Sequence, residues 1–120
     1  GADDNASGTA GLLALARLFA RAHPRHSLVF VAFDAEESGD VGSKAWVSAA
    51  PIPIDRILAD INLDMVGRNA AHQIFAAGPD RYPQLRPLVE RTIACAPITL
   101  TIESPDVIGS RCVKISLASG

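Results

Sequence analysis

The sequence predicts an α/β domain, a three-layer α/β/α sandwich around a mostly parallel sheet. Helical and extended segments alternate along the chain, the order such a sandwich requires. One extended segment, Leu28–Phe33, is a continuous apolar run rich in β-branched and aromatic residues, the pattern of a strand buried on both faces. The 120 residues, 48% hydrophobic against 20% charged, suffice for one packed core and not for two, so residues 1–120 read as a single domain.

Each element follows from local pattern. A helix is predicted over Ser7–Ala22, where Leu12, Leu15, Ala16, Phe19 and Ala22 recur at helical spacing and Arg17 and Arg21 mark the opposite side. Asn5 or Ser7 caps its start, and His23-Pro24 ends it, because proline disfavours a helical residue before it. Leu28–Phe33 follows as the buried strand, then a short helix over Gly42–Ala50, stopped by Pro51-Ile-Pro53. Ile57–Met65 alternates as a strand, with Ile57, Ala59, Ile61, Leu63 and Met65 on one face and Leu58, Asp60, Asn62 and Asp64 on the other. A strand with that many polar groups ends at a polar site or a sheet edge. Strands are predicted again at Gln73–Ala77, Ile98–Ile102 and Cys112–Ala118, with a third helix over Tyr82–Cys95.

Composition excludes several function classes. A net charge of −2 offers no footprint for a nucleic-acid backbone or an anionic membrane surface. Apolar runs such as Leu28–Phe33 fall far short of the ~20 residues that span a bilayer. Cys95 and Cys112 lack the CxxC spacing of a thiolate metal site and are too few for a disulfide scaffold; both are expected to be buried or inert. The opening Gly-Ala-Asp-Asp-Asn-Ala-Ser-Gly, dense in turn formers and carboxylates, reads as the start of a fragment.

Carboxylates cluster in three places: Asp3-Asp4, Glu36-Glu37 directly after the apolar run, and Asp64 at the end of the polar strand. Taken singly, each reads as a solvated loop or capping group. In open α/β sheets, however, ligands bind outside the carboxyl ends of the strands, where Glu36, Glu37 and Asp64 are predicted to lie. Carboxylates brought together raise one another's pKa unless a cation neutralises them, so their convergence without a basic cluster points to a divalent metal.

In these residues the chain resembles the co-catalytic zinc aminopeptidases of the bacterial leucyl aminopeptidase and aminopeptidase Y type. Gly1-Ala-Asp-Asp-Asn-Ala-Ser-Gly8 resembles the family's bridging-aspartate motif, Phe33-Asp-Ala-Glu-Glu-Ser-Gly39 its catalytic motif, Gly42-Ser43 its following turn, and Asn62-Leu-Asp-Met-Val-Gly67 its third ligand motif. The resemblance covers roughly the first 70 residues. It implies a zinc-exopeptidase-like fold, here incomplete, and two zinc ions. Asp3 would bridge the ions, followed by Asp4 across a cis peptide, with Asp4 standing behind the ligand. Glu36 would be the general base, Glu37 a ligand of one zinc and Asp64 a ligand of the other. The implied substrate is a peptide with a free N-terminus, with no nucleic-acid or membrane partner, and relatives of this kind are often exported.

The family completes each zinc with a histidine, from a His-x-Asp motif upstream of the bridging aspartate and an Asp-His motif near the end. The chain contains neither; Ser104-Pro-Asp106 is followed by Val107. His23 and His26 flank Pro24 in a turn, and His72 lies in a polar connection, so all three read as surface residues rather than ligands. Tyr82 and Trp46 read as packing anchors. A set of carboxylate oxygens alone predicts weak zinc binding by the chain as written. Two alternatives stay open: a single-zinc glutaminyl cyclase of the same fold, and a peptidase-like binding domain without catalysis.

Overall fold

The computed structural model describes residues 1–68, 73–102 and the strand at 112–117. Helix α1 (Ala6–Phe19) is capped by Asn5, whose side chain accepts from the Gly8 amide. The predicted extension to Ala22 becomes tight turns, with Arg21 N–H donating to Leu18 O and Ala22 N–H to Phe19 O. The cause is His23, left-handed at φ 42°, followed by Pro24. Helix α2 (Val41–Ser48) stops ahead of Pro51, and α3 (Arg86–Cys95) follows a 3₁₀ turn at Pro83–Leu85. Pro87 fits the first turn of α3, where its missing N–H costs nothing.

Four strands form one sheet in the order β1 (Ala59–Asp64), β4 (Cys112–Leu117), β2 (Gln73–Ala77), β3 (Thr99–Ile102). The pairs β2–β3 and β2–β4 are parallel, and β1 runs antiparallel to β4, so the sheet is small and mostly parallel. β1 is shorter than predicted for local reasons. Ile57 closes the 3₁₀ turn at Ile54–Arg56, and Met65, at φ 49°, leaves the extended region. Helix α1 packs on β1. Among the described residues the buried apolar side chains Ala76, Pro79, Leu85 and Val89 come from β2, the turn after it and the α3 segment.

The segment Leu28–Phe33 departs from expectation: it pairs with no strand among the described residues, and Leu28, Val29, Phe30 and Phe33 are exposed. Its one aromatic anchor is the edge-on contact of Phe33 with Trp46 of α2, at 6.2 Å between ring centroids. Leu13 and Leu18 of α1 and Leu58 and Ile61 around β1 are exposed as well. The chain presents 8817 Å² to solvent, where a compact monomer of 12.6 kDa presents about 6,200 Å². An α/β arrangement is present, and the described residues do not enclose the sheet between two full helical layers.

The closest packing joins α1 to β1. A Cβ on Gly8 would lie 2.3 Å from Leu63 O and 2.4 Å from Asn5 Oδ1, whereas one on Gly11 would meet only the tip of the Leu63 side chain at 3.2 Å. Alanine in a helix gains roughly 1 kcal/mol over glycine, but the obstacle at Gly8 is backbone and cannot step aside. Gly8→Ala should therefore lower stability by about 1–3 kcal/mol, while Gly11→Ala should leave it unchanged or raise it; urea unfolding midpoints measure both.

Asp60, within β1, is exposed as a residue, yet partial burial raises its carboxyl above the ordinary pKa of 3.8. The folded form holds this proton more tightly than the unfolded chain. The resulting stability is complete below pH 3.8 and is lost as pH rises through the higher folded value. Asp60→Asn cannot ionise and should escape that loss. Its gain in urea midpoint over wild type should be larger at neutral pH than at acid pH.

Candidate functional site

The carboxylates singled out from the sequence lie on two pieces of structure. The first is the junction between the start of α1 and the exit of β1. Asp3 precedes the helix, and its Oδ1 accepts from the Gly67 amide at 3.0 Å, 64 residues along the chain. The Ser7 hydroxyl donates to the Asp3 carbonyl at 2.7 Å and holds its backbone. Asn5 Nδ2 donates to Leu63 O at 2.9 Å, and Asn5 Oδ1 accepts from the amides of Gly8 and Met65, both at 3.1 Å. Asp64 closes β1 between Leu63 and Met65. The fold thus brings Asp3 to the end of the strand that presents Asp64.

The second piece is the turn that carries Glu36 and Glu37 into α2. The Glu36 carbonyl accepts from the amides of Gly39 and Asp40, both at 2.9 Å, and Ala35 O accepts from Ser38 and Val41. Asp34 O accepts from the Gly42 amide, and a Cβ at Gly42 would lie 2.6 Å from that oxygen. Lys44 Nζ donates to Gly39 O at 2.8 Å. The backbone is therefore tightly folded while both glutamate side chains stand exposed. Left-handed backbone flanks two of the candidates: Ala35 (φ 53°) precedes Glu36 and Met65 (φ 49°) follows Asp64, with Arg68 (φ 54°), Asp40 (φ 58°) and His23 (φ 42°) elsewhere. Such conformations cost of order 1–3 kcal/mol for non-glycine residues and concentrate at functional sites.

The expected position at the carboxyl ends of a parallel sheet holds for Asp64 with respect to β1 alone. Because β1 is antiparallel to β4, Asp64 pairs with Cys112, the first residue of that strand. Glu36 and Glu37 follow a segment that pairs with no strand among the described residues. The cis peptide lies between Asp4 and Asn5, one bond later than the resemblance implies, and Asp4 is exposed.

The test of a metal here is the state of the candidate ligands. Asp3 Oδ2 is buried with no hydrogen-bond partner. A buried acceptor left unpaired costs the desolvation of that group, and a cation relieves it. The junction thus fits an anchoring carboxylate. Among the described residues, however, no three His, Cys, Asp or Glu side chains come together as a metal group, so the fit stops short of a closed zinc shell.

His23 and His26 do not supply what is lacking. His23 and His26 line an open groove of about 540 Å³ beyond the carboxyl end of α1, with Phe19, Leu28 and Phe30. A helix of 14 residues is about 21 Å long, which separates them from Asp3 at its other end. His72 and the Asp106-Val107 pair lie outside the described residues. Cys95, expected to be buried or inert, is an exposed free thiol at the end of α3, where the helix leaves that turn uncovered. Sequence reasoning treated Asn5 only as a helix cap and missed its hold on β1; the motif contains it, but the partner residues are visible only in space.

Comparison with known proteins gives the family. The profile of peptidase family M28 matches residues 1–115. A probable zinc metalloprotease of Pyrenophora tritici-repentis is 44% identical over 71 residues, 59% of this chain and 16% of that protein. An aminopeptidase of Pseudomonas aeruginosa is 43% identical over 68 residues, 56% of this chain and 13% of that protein. The aminopeptidase YwaD of Bacillus subtilis is 40% identical over 68 residues, 56% of this chain and 15% of that protein. The chain therefore spans a small part of the length of these relatives. No solved structure matches it. With the motifs and their order preserved over roughly the first 70 residues and the family profile matching nearly the whole length, the chain belongs to peptidase family M28.

Proposed function

We propose that the protein carrying this chain is a zinc-dependent exopeptidase that removes N-terminal residues from peptides, and that residues 1–120 contribute to its catalytic core. The observation that supports it most directly is the buried, unpartnered Oδ2 of Asp3, held beside the strand end that presents Asp64 in a chain of the M28 family. Relatives named zinc metalloprotease and aminopeptidase support the metal and the substrate class.

In this reading Asp3, Glu37 and Asp64 would hold two zinc ions, Asp3 as the shared ligand, Glu37 for one and Asp64 for the other, with Asp4 behind the shared ligand. Zinc supplies a Lewis acid that brings the pKa of water toward ~7 and polarises the scissile carbonyl. Glu36 is the general base, taking the proton of the attacking water and returning it to the leaving amine. Its exposed carboxylate, raised on a tight turn, is available for that exchange. A carboxylate-rich site also suits the ammonium of a peptide with a free N-terminus. The three-layer sandwich belongs to the same reading, in which Leu28–Phe33 is an inner strand. The alternative of a peptidase-like binding domain without catalysis draws on one observation, the lack of a three-ligand group among the described residues.

Two substitutions in the complete protein separate the roles. Glu36→Gln should keep zinc and lose turnover by about 10²- to 10⁴-fold, because the proton acceptor goes and no ligand does. Glu37→Gln should release zinc. Metal content by elemental analysis beside hydrolysis of aminoacyl anilides reads both; full activity of Glu36→Gln reassigns the base. Zinc retention without hydrolysis by the wild type favours the binding domain.

A further inference from the structure

Asn5 reaches across the junction in a way that a helix cap does not require. A cap needs one acceptor for an amide of the first turn, which Asn5 Oδ1 provides to Gly8 at 3.1 Å. The same oxygen also accepts from Met65 N–H at 3.1 Å, and Nδ2 donates to Leu63 O at 2.9 Å. Leu63 and Met65 are the two neighbours of Asp64. Donating to the carbonyl before a residue and accepting from the amide after it is the pattern that an adjacent parallel strand makes. Here one side-chain amide makes it, around Asp64, on a strand at the edge of the sheet. Two residues upstream, Asp3 is fixed independently by Gly67 and Ser7.

We propose that Asn5 is a positioning residue that brackets Asp64 and fixes the direction of its carboxylate, and with it the metal affinity of the site. This rests on the metallopeptidase reading above. The chemistry demands asparagine. Serine and aspartate cap helices about as well, but neither carries an N–H, and aspartate would set an oxygen against the Leu63 carbonyl where Nδ2 now donates. A capping role tolerates these replacements; a positioning role does not. Gly8 belongs to the same device, since any side chain there would drive Leu63 O and Asn5 Oδ1 apart from the helix.

The test compares Asn5→Ser and Asn5→Asp in the complete protein with Val89→Ala, which destabilises the buried α3 segment without touching the junction. Zinc affinity is read by calorimetry, coordination by the visible spectrum of the Co²⁺-substituted protein, and stability by thermal unfolding. Both Asn5 variants should bind zinc about 10- to 100-fold more weakly and shift the cobalt bands, the usual effect of removing a group that orients a metal ligand. Val89→Ala should lose stability and keep both metal readouts. If Asn5→Asp fails to fold, Asn5→Ser, which keeps the cap, decides the matter. Wild-type zinc affinity and an unchanged cobalt spectrum in a folded Asn5 variant would reduce Asn5 to a cap and overturn the proposal. A complete wild-type protein that takes up neither zinc nor cobalt overturns the metallopeptidase reading itself, and this proposal with it.

Discussion

The site depends on how closely the first turn of α1 approaches the exit of β1. Two short side groups permit it: the hydrogen of Gly8, which leaves room for Leu63 O, and the amide of Asn5, which bonds to both sides of Asp64. These contacts close a loop of more than fifty residues, and the entropy of such closure grows only slowly with length, so a few well-aligned bonds can hold it. Asp3 is carried into place by this docking. It then stands ahead of the amino end of α1, where the helix dipole favours negative charge. The same dipole eases the accumulation of carboxylates that the junction requires.

The glutamates are organised differently. Asp3 and Asp64 are fixed by contacts far apart in sequence, whereas Glu36 and Glu37 ride on a turn whose hydrogen bonds are all local, from Asp34 to Lys44. A local turn keeps its own shape but does not dictate its distance from the junction. That distance depends on how Leu28–Phe33 lies against the sheet, and this segment makes no ladder with a described strand. The division puts two of the proposed ligands, Asp3 and Asp64, on an anchor made by long-range contacts, and the third, Glu37, with the proton acceptor on a separately built support.

Much of this was legible in the residues. The helix at α1, the proline stops and the strands β1 to β4 follow from periodicity and turn chemistry, and β2 coincides with its prediction because Gln73–Ala77 is short and clearly bounded. The family was legible too, since its motifs are contiguous and their order is preserved. Three features were not. Strand order and the reversed direction of β1 are set by which edges meet, and no local pattern encodes that. Leu28–Phe33 has the composition of an inner strand, but composition cannot supply the neighbours such a strand needs. The second task of Asn5 was hidden because its partners, Leu63 and Met65, are distant in sequence and bond through backbone atoms that carry no residue-specific signal.

The uncovered Leu28–Phe33 segment has a colloidal consequence. A short, uncharged, proline-free run of β-branched and aromatic residues at the surface is the signature of cross-β association between chains. Charged and ionisable residues bound it on both sides, Arg25 and His26 before it and Asp34, Glu36 and Glu37 after it. Charges in such flanking positions act as gatekeepers against strand-to-strand stacking. The acidic stretch proposed for proton transfer and metal binding is thus also the charged flank of this run, so neutralising its glutamates to probe catalysis would at the same time strip charge from beside a segment of cross-β composition.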